Sequence, residues 1–158
     1  MDVKLINPFV ESVDTVFRTM VGATPVRKPV RIADGFGNRP CLTSIVGISG
    51  RMSGVVVLRF PPPTAKSLAG RMLGADPPAG GPEVVDAVAE VVNMVAGAAK
   101  AKFESDPPLQ LGLPTVVEGA EYRVKYPSKS VWLEVPFDSE LGEFSLEITF
   151  ESNGGGAK

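Results

Sequence analysis

The part of this chain best equipped for chemistry is Asp86-Ala-Val-Ala-Glu90-Val-Val-Asn93-Met-Val-Ala-Gly97. On a helix, at about 100° per residue, Asp86, Glu90, Asn93 and Gly97 fall on one narrow stripe. A carboxylate and a carboxamide then stand one turn apart. The carboxamide is neutral, accepts hydrogen bonds through its oxygen and donates through its NH₂. Ala87, Ala89, Ala96 and Ala101 lie beside the stripe, so another protein can approach this face closely. Glu90 has no cation three or four residues away, where Asp86, Ala87, Asn93 and Met94 stand. Glu on a solvated helix commonly pairs with Lys or Arg at that spacing, so a cation from outside the chain is the expectation. Blander readings compete: Asp86 as a helix-dipole carboxylate, Glu90 as a solvated residue, and Asn93 as a buried amide bonded to a neighbouring helix.

The elements that must hold this stripe are legible around it. Pro82 opens the motif helix, which runs to about Phe103, and Val84, Val88, Val91, Val92 and Val95 form its apolar face. Asn7-Pro8 reads as an N-cap and first position of another helix, with Phe9, Val13, Val16, Phe17 and Met20 inward and Gly22 closing it. A short third helix is expected from an N-cap at Thr64 to about Leu73, with Gly74 beyond. Leu42–Ser49 and Gly54–Phe60 read as a hairpin, and Val131–Phe137 with Phe144–Phe150 as a second, half-buried one. Leu113–Val117 and Tyr122–Tyr126 are expected strands. Val26, Val30 and Ile32 suggest a strand that Pro29 confines to an edge, and Asp34–Pro40 a loop. Trp132 falls on the outward phase of its strand, to be covered by a helix or a second copy, or left exposed. Met20, Met72 and Met94 read as core. The expected class is α+β, one domain over residues 1–151 with a flexible tail at 152–158.

Composition narrows the chemistry. The 158 residues carry a net charge of −2, one cysteine (Cys41) and no histidine. Disulfide frameworks, Cys/His zinc sites and Ser-His or Cys-His nucleophile pairs are excluded. The mild acidity argues against general nucleic-acid binding, which wants a basic face. The start Met1-Asp-Val-Lys-Leu-Ile-Asn lacks a signal peptide's pattern, and no uncharged run is long enough to span a bilayer, so a cytoplasmic protein is expected. Pro77–Pro82 is Gly-rich before a helix but lacks the Lys-Ser/Thr of a phosphate loop. Arg27-Lys28 and Arg31 read as a solvated edge.

Glu90-x-x-Asn93 running into Met94-x-Ala96-Gly97 resembles the active-site motif of the CheC/CheX chemotaxis phosphatases. Val46-Gly-Ile-Ser-Gly50, Gly54–Phe60, Met72-Leu-Gly74 and Leu113–Gly119 come in the order of the CheX branch over roughly residues 3–151. The chain departs from it in Val91-Val92, where the families often carry Leu-Gly or Val-Gly. The resemblance implies a CheC-like fold with an antiparallel-rich sheet, two long helices side by side and a third short one. It implies hydrolysis of the aspartyl phosphate of a CheY-like response regulator. Asn93 would orient the attacking water and Glu90 would pair with the partner's active-site lysine, while Asp86 and Gly97 would support binding. Mg²⁺ is expected on the partner and no cofactor on this chain. A homodimer joined through sheet edges is also implied, with residues 142–151, free of Pro and Lys, as a suitable edge. The alternative is a non-catalytic, flagellar-switch-like module that binds the regulator. A faint internal duplication places Glu11-Ser-Val-Asp14 opposite Glu90-Val-Val-Asn93, with Asp14 in place of Asn arguing against a second working site.

Overall fold

The structure, a computed structural model, describes residues 3–34, 36–37, 39–75, 81–103, 108–126 and 131–152. A 3₁₀ turn, Val3–Ile6, leads into α1 (Asn7–Val16), which continues as a π-helical turn, Phe17–Val21. The next strands are β1 (Val26–Arg27), β2 (Arg31–Ala33), β3 (Phe36–Gly37), β4 (Cys41–Ser49) and β5 (Met52–Phe60). Two helices follow, α2 (Pro62–Leu73) and α3 (Pro82–Lys102). The chain then gives β6 (Gln110–Leu111), β7 (Thr115–Gly119), β8 (Tyr122–Arg123), β9 (Trp132–Asp138) and β10 (Phe144–Ser152).

The two expected hairpins form and join into one antiparallel sheet. Leu42 faces Phe60 across β4–β5, and Phe144 faces Phe137 across β9–β10. The second strands of the hairpins pair with each other, Leu146 opposite Leu58. The described strand order is β1-β9-β10-β5-β4-β6, with β2 also on β9 and β7 also on β4. Period-2 alternation sends Val56, Leu58, Phe60, Leu133, Val135, Phe137, Leu146, Ile148 and Phe150 to one face, where all three helices cover them. Phe144 stacks on Phe17 and Phe137 with ring centroids 4.6 and 5.0 Å apart. The α+β class is therefore as expected, with α1 and α3 side by side: Phe9 meets Phe103 at 5.6 Å, and Lys102 Nζ lies 3.4 Å from Glu11 Oε1.

Several local expectations are corrected. Asn7 is not a cap, because the 3₁₀ turn already brings Ile6 to helical φ and ψ, and no side chain caps α1. Met20 is 60% exposed: the wider π turn advances the inward position to Val21, and Gly22 then closes the helix at φ 77°. Thr64 does not cap α2. The helix begins at Pro62, where missing N–H groups cost nothing, and the Thr64 hydroxyl donates to the Glu143 carbonyl. The 34–40 loop holds β3, which pairs with β8 as a separate two-stranded ribbon. Segment 122–126 of the chain itself covers Trp132, whose cluster with Val55 and Val57 is flanked by Val124 and Tyr126. Strand β10 is paired on both sides, so residues 142–151 form no edge. Ser152, expected in the tail, ends β10 opposite Met52. Residues 153–158 and 76–80 lie outside the described residues.

Candidate active site

Helix α3 is built to be held rigidly on three sides. Gly81 precedes it with extended backbone, Pro82 starts it, Glu83 lies in its first turn and Lys100 and Lys102 in its last, in accord with the helix dipole. Val84, Val88, Val91, Val92, Val95 and Ala99 are buried against the sheet and neighbouring helices. Ala87 and Ala96, expected beside the stripe, are also buried, because packing against both α1 and α2 widens the covered arc. Ala89 and Ala101 remain at its borders.

Asp86, Glu90 and Asn93 are exposed together, and Gly97 is half-buried beside them. The rise of about 1.5 Å per residue puts Glu90 and Asn93 roughly 4.5 Å apart along the axis. Among the described residues, no hydrogen bond or ion pair reaches Asp86, Glu90 or Asn93. The duplicated positions on α1 differ: Glu11 meets Lys102, and Asp14 takes Arg18 Nε at 2.9 Å. The buried-amide alternative for Asn93 therefore fails, and Glu90 has no hydrogen-bond or ion-pair partner among the described residues. Val92, the residue before Asn93, is completely buried. A Cβ added at Gly97 would meet nothing within 4 Å, so the chain itself does not require glycine there.

Clefts lie elsewhere. One of about 350 Å³ on the outer sheet face is bordered by Arg31, Arg39, Arg59, Glu134 and Glu147, and one of about 510 Å³ by Glu11, Asp14 and Lys102. Neither is lined by the motif, which stands on an open helix face suited to a macromolecular partner. Among the described residues, no acidic or Cys/His group of three is placed to hold a metal, and no described helix is long and apolar enough to cross a membrane. Burial pushes the Cys41 thiol up, which makes the lone cysteine a poor nucleophile. The basic edge is paired across to β9, Arg31 with Glu134 at 2.7 Å and Lys28 with Asp138 at 3.3 Å. A buried pair, Arg59 with Glu147, was not foreseen; its trace in the sequence is an arginine interrupting the apolar run of β5.

The family model for chemotaxis phosphatase CheX matches residues 42–138, from β4 through all of α3 to the end of β9. The chain belongs to the CheX family. The CheY-P phosphatase CheX of Thermotoga maritima is 27% identical over 159 residues, covering 98% of this chain and 100% of that one. The crystal structure of chemotaxis protein CheX from Desulfovibrio desulfuricans superimposes with a TM-score of 0.84 at 28% identity, covering 94% of this chain and 100% of that chain. The fold is also that of the CheX–CheY–BeF₃–Mg²⁺ complex from Borrelia burgdorferi, with a TM-score of 0.75 at 20% identity over 96% of this chain and 100% of that one.

Proposed function

We propose that this CheX-family chain hydrolyses the aspartyl phosphate of a CheY-like response regulator, with Asn93 and Glu90 as the working pair. The observation that carries the reading is the exposure of a carboxamide and of a carboxylate with no partner among the described residues, one turn apart, on a helix whose valine face is buried. An acyl phosphate is already activated, so its hydrolysis needs a water held in line behind phosphorus more than a strong base. The Asn93 Oδ1 accepts a hydrogen bond from that water, and Nδ2 donates toward a phosphoryl oxygen. Water attacks phosphorus, the bond to the aspartyl oxygen breaks, and inorganic phosphate and the free carboxylate leave. Positioning and exclusion of bulk water supply an acceleration on the order of 10²-fold.

Glu90 anchors the partner's active-site lysine and sets the register of Asn93. Asp86 extends the acidic stripe, and Gly97 lets the partner's backbone come close. The Mg²⁺ belongs to the response regulator and neutralises its phosphate. That a CheX from Borrelia burgdorferi forms a complex with CheY, BeF₃ and Mg²⁺ supports this partner class. Acting on a signalling protein of the cell interior, the enzyme works in the cytoplasm and, in this reading, as a homodimer.

The test is the decay of an acyl-phosphorylated receiver domain. Wild type accelerates decay at substoichiometric amounts. Asn93→Ala still binds but loses turnover by about 10²-fold, and Glu90→Ala loses binding by a few kcal/mol, as expected when one partner of a desolvated ion pair is removed. Measurable binding with decay at the intrinsic rate would instead make the protein an adaptor and the stripe a docking surface.

A further inference from the structure

The outer face of the sheet carries a structure that hydrolysis does not use. Strands β3 and β8 pair with each other and not with the main sheet. Beside their backbone pairing, the Arg123 guanidinium meets Asp34 at 3.2 Å and lies over the Phe36 ring at 5.5 Å. Their attachment to the sheet converges on one side chain. Arg59, on β5, faces the Gly37 backbone so closely that an added Cβ would lie 2.5 Å from Nη1. The Tyr122 ring covers the Arg59 guanidinium at 5.3 Å, and the Tyr122 hydroxyl bonds the Thr43 hydroxyl.

Opposing forces meet under this ribbon. Val55, Val57 and Trp132 pack beneath Val124 and Tyr126, which follow β8 directly, and beside Ala33 and Ile45 of the sheet itself. Beneath the ribbon also lies the buried ion pair of Arg59 and Glu147, whose side chains are only 7% and 4% exposed. Among the described residues, Glu147 Oε1 is buried without a hydrogen-bond partner. Burial pushes the Glu147 carboxyl up even though Arg59 opposes it. An incompletely satisfied buried pair disfavours the state that buries it, whereas the apolar cluster and the cation–π contact favour it. The ribbon has two residues in each strand, so few backbone hydrogen bonds resist its separation.

We infer that the β3–β8 ribbon is a latch, clamped by Arg59, that opens from the sheet without unfolding the remainder of the protein and bares the apolar patch around Trp132. Opening hydrates Glu147 and leaves α3 untouched, because the helices lie on the opposite face. The molecule thereby has a second state with an apolar sheet surface, controlled at a distance from Glu90 and Asn93.

Trp132 is the only tryptophan in the chain and reports directly on the latch. Gly37→Ala is the informative variant, since the new methyl would lie 2.5 Å from Arg59 Nη1 and so forces the ribbon and the guanidinium apart. Acrylamide quenching of Trp132 should rise about two-fold or more at temperatures where far-UV circular dichroism is unchanged, as expected for sub-global opening. Backbone amides of Phe36, Gly37, Tyr122 and Arg123 should lose hydrogen-exchange protection while β5 and β10 keep theirs, and phosphatase turnover should stay at the wild-type level. Arg59→Met should act more strongly; should it fail to fold, Thr43→Val supplies the second variant through loss of the Tyr122 hydroxyl contact. The inference is overturned if Trp132 becomes quenchable only as the circular dichroism signal collapses, or if ribbon amides exchange no faster than those of β5.

Discussion

At position 14 the chain carries a carboxylate where the motif helix carries the Asn93 carboxamide, and the difference is chemical as well as steric. An ionised carboxylate has no N–H to offer a phosphoryl oxygen and repels its charge. Asp14 is in addition engaged by Arg18, and Glu11 by Lys102, so that stripe has its cations within the chain. The same reasoning about a single carboxylate applies at Glu140, in the β9–β10 turn. Its Oε1 accepts the Thr24 backbone N–H at 2.7 Å, which ties the turn to the segment leaving α1. That bond holds the Glu140 carboxyl below its usual range. A depressed folded-state pKa means that the contribution to stability is fully present above the unfolded value, about 4.3, and is lost as pH falls through the folded one. Glu140→Gln is thus expected to lower Tm at pH 7, with the gap to wild type closing as the pH drops below about 4. Thermal melts across that range check it. A gap that persists in acid would assign the effect to packing and not to charge.

At the scale of the element, Gly97 separates what α3 needs from what a partner needs. Glycine inside a helix is less stable than alanine by about 0.5–1 kcal/mol, and nothing in the chain crowds a Cβ at this position. Gly97→Ala should therefore raise stability by about that amount. If the stripe docks a receiver domain, the same substitution should raise KM with kcat less affected, because the methyl stands between two backbones. Paired denaturant melts and phosphatase kinetics test both arms; a gain in stability with unchanged KM would place Gly97 outside the interface. The helix itself was legible in residues 82–103 because its valines recur at helical spacing, and both hairpins because their apolar residues alternate. The stripe was legible for the same reason. What the pattern hid were features with no periodic mark. The π turn that turns Met20 outward adds one residue to a single turn. The latch depends on Arg59 and Glu147, which stand on neighbouring strands but are far apart in the chain. The two-residue strands of the ribbon are too short for any alternation to appear.

At the scale of the whole molecule, the sheet's pairing decides where a second copy can join. Strand β10 was the expected edge, but it lies between β9 and β5 and has no free side. A β-strand pairs with another molecule only through an open row of N–H and C=O groups. One open side carries β1 and β2, two and three residues long, with Lys28, Pro29 and Arg31 in or between them. Short strands, proline and exposed cations all discourage pairing there. The opposite side ends on the two-residue β6 and on β7, whose five residues Thr115-Val-Val-Glu-Gly119 contain neither Pro nor Lys. Just before it stands Leu113, 90% exposed, the most exposed large apolar residue described. A second copy adding its own β7 would continue the sheet and shelter Leu113. Leu113→Lys is accordingly expected to convert a dimer into the 16.6 kDa single chain in sedimentation equilibrium. Tm extrapolated to low concentration should remain unchanged, because so exposed a side chain contributes little to the folded monomer. Phosphatase activity per chain should also survive, since Glu90 and Asn93 lie on a helix face and not on this edge. A variant that remains dimeric would move the interface away from β7, and a wild type that sediments as a single chain at every concentration would remove the dimer altogether.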